Sequence, residues 1–223
     1  MRFAALETSG EWCSVALHVD GEIRAVERRA GQRHSELALP MLHGLLQQWN
    51  LYPRDLEAIA FGAGPGSFTG LRIACGLAQG LAAAHGVPVL GVSSFEAIAE
   101  ASGAARVVAC LDARMREVYY AALEKDARGW REVIAGQCIA PEAAPRPPGG
   151  GWIGCGSGFA LCHPWAETLG AIALFPEIHP TAGALARLAA PRLARGEGVD
   201  AAEAAPRYLR DKVAYTRDEL KAR

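Results

Sequence analysis

Residues 62–72 read G-A-G-P-G-S-F-T-G-L-R, a glycine-rich stretch between an apolar run and an amphipathic segment. Upstream, residues 56–61 are mostly apolar, which predicts a strand. Downstream, apolar residues recur at helical spacing over residues 69–85, which predicts a helix. The stretch therefore predicts a strand, a glycine loop and a helix in succession, which is a building unit of an α/β fold.

The glycine loop suggests two alternative roles. Gly64 and Gly66 permit positive φ and a close backbone approach, and free N–H groups near Ser67 at the start of the helix favour an anion such as phosphate. The spacing matches neither the dinucleotide motif nor the P-loop, which needs a lysine. It does not match the nucleophile elbow of hydrolases either. The glycines could instead serve tight packing alone, and loop chemistry leaves both alternatives open.

Composition sets further limits on the class of protein. The chain has 223 residues, 51% of them hydrophobic, which suffices for one large core or two modest ones. The absence of an apolar run of ~18 residues, and of a signal-peptide pattern, predicts a cytoplasmic protein with no membrane segment. A formal net charge of −1 argues against a chain that grips nucleic acid by itself. Cys155, Cys162 and His163 form the only near-cluster of metal ligands, but their spacing fits no zinc signature.

The order of predicted elements recurs along the chain. The first half gives three strand-like runs, a helix, a strand, a helix and a strand, over residues 3–9, 13–19, 22–28, 35–49, 56–61, 69–85 and 87–92. The second half again begins with three strand-like runs, over residues 106–111, 117–124 and 131–139. A short strand at 152–155 and helical patterns at 158–169 and 181–190 follow. We predict two α/β lobes, residues 1–102 and 103–223.

Six stretches, in this order, resemble the TsaB family, also called YeaZ. They are A-L-E-T-S (5–9), H-S-E-L-A-L-P (34–40), G-P-G-S-F-T-G-L-R-I-A (64–74), G-V-S-S-F-E-A (91–97), D-A-R-M-R-E-V-Y-Y-A (112–121) and P-R-Y-L-R (206–210). The resemblance implies an ASKHA-like fold, the architecture of actin, Hsp70 and sugar kinases, with a mixed sheet and helices in each lobe. It also implies a role in threonylcarbamoylation of adenosine 37 in tRNAs that read ANN codons.

The same resemblance implies the partners. Members of the family bind and activate the catalytic paralogue TsaD and assemble with the ATPase TsaE, so tRNA is expected to be reached only through the complex. No tightly bound cofactor is expected, and ATP or ADP is expected at an interface of the complex. The isolated chain is expected to be a monomer or a homodimer, because a partner surface left uncovered would be apolar.

The residues argue against a catalytic role for the chain itself. A TsaD-like metal site needs two histidines at positions i and i+4, and no pair among the six histidines has this spacing. The position of the ASKHA turn D-x-G-T reads Glu7-Thr8-Ser9-Gly10, so metal-assisted phosphate handling there is in doubt. We therefore predict no catalytic residue and no metal ligand, and assign His34 a structural or interface role.

Two sets of candidate site residues follow. We predict that the two helices of the first lobe form the partner face, since glycines and alanines in the second helix would let another helix approach closely; packing on the lobe's own sheet is the alternative. The candidate partner-binding residues are His34, Leu42, Leu45, Trp49, Leu71, Ala74, Gly76, Ala78 and Gly80. The candidate nucleotide or cleft contacts are Glu7, Ser9, Gly64, Gly66, Ser67, Asp112 and Arg114. For Asp112 and Arg114, an internal ion-pair network is the favoured alternative.

Two other functional classes stay open at this stage. An ASKHA-type small-molecule kinase or ATPase would need an acidic residue at the cleft, for which Glu7 and Asp112 are the candidates. A metallopeptidase-like protein is disfavoured, because the histidine pair is missing.

Overall fold

The computed structural model describes residues 1–160 and 169–210, which form two five-stranded mixed sheets with helices packed on them. Cys162, His163 and the C-terminal basic residues beyond Arg210 lie outside the described residues. The predicted two-lobed, ASKHA-like α/β class is confirmed, because each lobe carries one of the two mixed sheets.

The first lobe begins with a three-stranded antiparallel meander. Its elements are β1 (Arg2–Glu7), β2 (Trp12–Val19), β3 (Glu22–Arg29), α1 (His34–Gln48), β4 (Ala58–Gly64), α2 (Phe68–His85) and β5 (Val89–Ser93). The strand order is β3-β2-β1-β4-β5, with β4 parallel to β1 and β5 parallel to β4. Asp20 and Gly21 form the predicted turn between β2 and β3 with φ values of 48° and 100°.

The second lobe repeats this plan. Its elements are α3 (Ser94–Ser102), β6 (Arg106–Arg114), β7 (Glu117–Asp126), β8 (Gly129–Ile139), β9 (Ile153–Cys155), β10 (Ala173–Phe175) and α4 (Ala182–Ala194). The strand order β8-β7-β6-β9-β10 matches the first sheet strand for strand. The recurrence predicted from the sequence is therefore real, although no residue-level repeat carries it. Of the helical pattern predicted over 158–169, the described part is a 3₁₀ turn, Ser157–Ala160.

The predicted division at residue 102 follows the two sheets but misplaces α4. Alternate residues of the first sheet point to opposite faces, and both faces are apolar. The face carrying Leu6 and Phe61 is covered by α1 and α2, whereas the face carrying Phe3 and Ala5 is covered by α4. The chain thus returns from the second lobe to complete the core of the first, and Ala204 also packs in that core.

Helix α3, which the sequence analysis missed, lies between the lobes. Phe95 and Ile98 pack on the second sheet, and α3 also contacts α4. Its boundary signals are present in the sequence: the Ser93 side chain accepts from the backbone N–H of Phe95, and Gly103 ends the helix with φ 71°. Across the described residues, no helix combines the length and apolar character that a membrane crossing would need.

Candidate functional site

The glycine loop, residues 62–70, is packed against the chain's own backbone. A Cβ built on Gly66 would lie 2.6 Å from the carbonyl oxygen of Ser9, and one built on Gly64 would lie 2.7 Å from that of Arg207. A Cβ on Gly70 would overlap with the carbonyl oxygen of Thr8. The space that these glycines leave is therefore filled from within the molecule.

Three backbone N–H groups at the start of α2 are also engaged, those of Ser67, Gly70 and Leu71. The N–H of Ser67 donates to the carbonyl oxygen of Ser9 at 2.7 Å, and the N–H of Leu71 donates to that of Ser67 at 2.8 Å. The Ser67 hydroxyl caps α2 by accepting from the N–H of Gly70 at 3.3 Å. A phosphate would have to displace these bonds to reach those three N–H groups. The geometry supports the packing role of the glycines rather than an anion site.

Glu7 lies at the end of β1 and is fully buried, with 1% of its surface exposed. Its Oε1 accepts from the N–H of Ser9 at 2.5 Å, whereas Oε2 has no hydrogen-bond partner among the described residues and lies where a side chain at Gly62 would stand. Burial raises the pKa of this carboxyl; hydrogen bonds from Ser9 oppose the shift. The enclosed position of the carboxyl leaves little room for a metal ion or for phosphate-bound magnesium.

Asp112 and Arg114 lie at the end of β6, next to the turn to β7, in the other lobe. Asp112 accepts from the backbone N–H of Arg114 at 2.7 Å, and the two side chains form an ion pair at 3.2 Å. The backbone N–H of Asp112 donates to the hydroxyl of Ser157 at 3.2 Å. These contacts are consistent with the ion-pair alternative, although the Arg114 side chain is 80% exposed. The other predicted cleft contacts lie together in the first lobe, where the end of β1 meets the glycine loop. They are Glu7, Ser9, Gly64, Gly66 and Ser67.

Residues 207–210, which we call the clasp, connect the two lobes. The N–H of Arg207 donates to the carbonyl oxygen of Ala63 in the first lobe at 2.7 Å. In the second lobe, the guanidinium of Arg210 donates to the carboxylate of Glu117 and, at 3.3 Å, to the carbonyl oxygen of Arg114. The sequence analysis used this segment only as a family motif, because its contacts lie far away along the chain.

Most of the predicted partner-binding residues face inwards. The apolar residues of α1 and α2 that recur every three or four positions point to the sheet, where they build the first lobe's core. The prediction is therefore wrong for five of them as surface residues. These five, each at most 2% exposed, are Leu42, Leu45, Leu71, Ala74 and Ala78.

His34 is also internal, and Trp49 is only partly exposed. His34 is 6% exposed, and its Nε2 donates to the carbonyl oxygen of Gly10 at 3.0 Å, which ties the start of α1 to the β1–β2 turn. Trp49 follows the last residue of α1, with the guanidinium of Arg24 4.6 Å from its ring centre. His34 thus has the structural role, and the indole of Trp49 is partly covered by arginine.

The remaining two predicted residues form an open strip on α2. Gly76 and Gly80 are exposed, and a Cβ built on either would meet nothing within 4 Å. Leu77 and Leu81 follow these glycines directly on α2, and Leu37 and Met41 lie on α1, which contacts α2; all four are partly buried and pack against the core of the first lobe. We call Gly76 and Gly80 with these four side chains the glycine strip. Because glycine has no side chain, a helix of a partner could approach α2 closely at these two positions and contact the apolar side chains of the strip.

Metal ligands do not cluster in the described part of the chain. Within residues 1–160 and 169–210, no group of three or more His, Cys, Asp or Glu side chains is placed to hold a metal ion. The five cysteines described there, Cys13, Cys75, Cys110, Cys138 and Cys155, form no disulfide.

Comparison with known proteins gives a consistent result. A family model described as "TsaD: tRNA N6-adenosine threonylcarbamoyltransferase" matches residues 26–151. The tRNA threonylcarbamoyladenosine biosynthesis protein TsaB of Escherichia coli (strain K12) is 35% identical over 96% of this chain and 97% of its own length. The protein of the same name from Haemophilus influenzae is 36% identical over 95% and 94%. A solved structure, YeaZ from Pseudomonas aeruginosa, is 38% identical with a TM-score of 0.87, covering 93% of this chain and 99% of that one. The similarity extends over both lobes.

Proposed function

The chain belongs to the TsaB family, and we propose from this that it is a non-catalytic subunit required for threonylcarbamoylation of adenosine 37 in tRNAs that read ANN codons. We propose further that it binds and activates the catalytic paralogue TsaD, assembles with the ATPase TsaE and meets tRNA through the complex in the cytoplasm. The observation that carries the partner role is the glycine strip. It is exposed, apolar and free of internal contacts at its two glycines.

The match of a TsaD family model to residues 26–151 supports a paralogous partner. Two chains of one architecture can pair through equivalent helices, and such pairing needs small residues where the helices cross. In the absence of TsaD, the same strip would favour pairing of two copies of this chain.

The interior of the first lobe supports a non-catalytic role. The carboxyl of Glu7 is enclosed, and the glycine loop is filled by the carbonyl groups of Thr8 and Ser9. Nucleotide phosphates fit this junction poorly. We therefore assign ATP or ADP to an interface of the complex rather than to this chain alone.

The test combines an assembly measurement with an activity measurement. Size-exclusion chromatography with light scattering on the purified chain, alone and with TsaD, should show a one-to-one complex. Threonylcarbamoylation of a tRNA that reads ANN codons, assayed with TsaE present, should need both chains. If the isolated chain turns over ATP or modifies tRNA without TsaD, the non-catalytic role is wrong, and Glu7 and Asp112 become the residues to replace.

A further inference from the structure

An exposed aromatic pair lies where the glycine loop meets the clasp. Phe68 and Tyr208 are 37% and 45% exposed, and their ring centres are 5.5 Å apart. The guanidinium of Arg72 lies 3.9 Å from the ring centre of Phe68, and its Nε donates to the hydroxyl of Tyr208 at 3.1 Å. These contacts hold two aromatic faces in a fixed arrangement at the surface.

The β6–β7 turn contacts the clasp, which carries Tyr208, and has a strained backbone. Arg114, Met115 and Arg116 have φ values of 63°, 56° and 61°, in the left-handed region that side chains rarely adopt. Each such residue costs about 1–3 kcal/mol, and strain of this kind concentrates at functional sites. All three side chains are exposed. Arg210 holds the turn next to the clasp through the carbonyl oxygen of Arg114 and the sulfur of Met115.

The charge of this region is positive, although the chain as a whole carries −1. Arg72, Arg116 and Arg207 are exposed and contribute cationic groups from both lobes. The neighbouring acids are engaged, since Asp112 pairs with Arg114, Glu117 binds Arg210, and Glu96, which lies near Arg207, pairs with Arg192 at 3.6 Å. The result is a local cationic surface around two exposed aromatic rings.

We propose that this surface, formed by Phe68, Arg72, Arg114, Arg116, Arg207 and Tyr208, binds an unpaired segment of RNA. Bases stack on exposed aromatic rings, and arginines contact the phosphates, which is the combination that single-stranded nucleic acid sites use. The proposal rests on the proposed function, in which tRNA is the substrate of the complex, and adds that this chain contacts the RNA directly. An apolar protein segment would also contact the aromatic rings, but only an anionic ligand such as RNA would use the arginines around them.

The test measures RNA binding by fluorescence anisotropy with the full chain, alone and bound to TsaD. The probes are a labelled RNA of about twelve unpaired nucleotides and a duplex of the same length. The patch variants are Phe68→Ala with Tyr208→Ala, and Arg116→Glu with Arg207→Glu. The matched controls come from the opposite end of β4, where the Arg54 guanidinium lies 4.7 Å from the exposed Tyr52 ring. They are Tyr52→Ala, and Arg54→Glu with Arg128→Glu, which changes the net charge by the same amount; Arg128 is exposed in the β7–β8 turn, at the end of β7 away from Glu117.

We expect the wild-type chain to prefer the unpaired RNA over the duplex. Each patch variant should weaken that binding about tenfold or more, whereas the controls should stay within about twofold. In a plot of the logarithm of the binding constant against the logarithm of the salt concentration, the slope for the charge-reversal variant should be smaller in magnitude by about two. Thermal midpoints close to the wild type would show that the variants are folded.

Three results would overturn the proposal. They are equal weakening by patch and control variants, preference for the duplex, and loss of TsaD co-elution by the patch variants, which would make the surface a protein interface. Failure of the wild-type chain to co-elute with TsaD would contradict the proposed function instead, whatever the RNA measurement shows.

Discussion

The carbonyl oxygen of Thr8 occupies the space that a side chain at Gly70 would need. The two residues are also joined by a hydrogen bond, in which the Thr8 hydroxyl donates to the carbonyl oxygen of Gly70 at 2.7 Å. The β1–β2 turn is thereby fixed to the first turn of α2. This contact explains why the loop needs glycine at this position without any bound ligand.

Gly70→Ala should therefore destabilise the protein. The new Cβ must push the Thr8 backbone away, and overpacking of this kind costs about 1–3 kcal/mol or more in the free energy of unfolding. Urea unfolding followed by circular dichroism measures the change. Gly80→Ala is the matched control in the same helix: its Cβ meets nothing, so it should stabilise by up to about 1 kcal/mol. Equal stability of the two variants would contradict the packing role of Gly70.

Gly76→Leu and Gly80→Leu should abolish TsaD association and leave the monomer folded. Both positions point away from the lobe, so leucine fits the free chain but blocks close approach of a partner helix. Co-elution on size-exclusion chromatography and thermal unfolding are the two measurements. Ala194→Leu serves as control, because Ala194 is exposed on α4, which covers the opposite face of the sheet. Undiminished association of the glycine variants would place the partner elsewhere.

The burial of Glu7 predicts a pH dependence of stability. A carboxyl with a raised pKa in the folded state binds its proton more tightly there than in the unfolded chain. The free energy of unfolding should therefore fall as the pH rises from about 4.5 towards the raised pKa of Glu7, and then stay low. Glutamine at position 7 does not titrate. Near pH 7 the Glu7→Gln variant should therefore have a higher thermal midpoint than the wild type, and this difference should disappear towards pH 4.5. A constant difference between the two proteins across this range would show that the pKa of Glu7 is the same in the folded and unfolded states, which contradicts the prediction.

The fold could be predicted largely from local patterns. Strand runs, the Asp20-Gly21 turn and the two long helices of the first lobe follow from alternation and helical spacing, which are short-range properties. Helix α4 was found as an element but assigned to the wrong lobe. Its position depends on which sheet face lacks cover, and a one-dimensional pattern does not contain that information.

The candidate site was harder to predict for a related reason. Apolar residues of an amphipathic helix mark the side that faces the core, so choosing Leu42, Leu45 and Leu71 for a partner face selected buried side chains. Gly76 and Gly80 were the informative residues, because a glycine inside a helix costs about 1 kcal/mol relative to alanine and these two have no close contact in the monomer that would explain it. Contacts of the clasp span 93 to 144 residues along the chain, as for Arg210 with Glu117 and Arg207 with Ala63, and only the folded structure brings them together.

The clasp gives the last prediction, which concerns how the lobes are held. The side chains of Arg210 and Glu117 are 12% and 21% exposed, so their ion pair is screened less than one at the surface. Arg210→Ala should cost about 1.5–3 kcal/mol in the free energy of unfolding, as for hydrogen bonds to charged groups, and should speed amide hydrogen exchange in the β6–β7 turn. Arg131→Ala is the matched control, since Arg131 is 59% exposed and pairs with Glu124 on the outer side of β7; its cost should stay below about 1 kcal/mol. If the two variants lose equal stability and exchange in the turn is unchanged, the clasp does not hold the second lobe, and the contacts of α3 and α4 must do so alone.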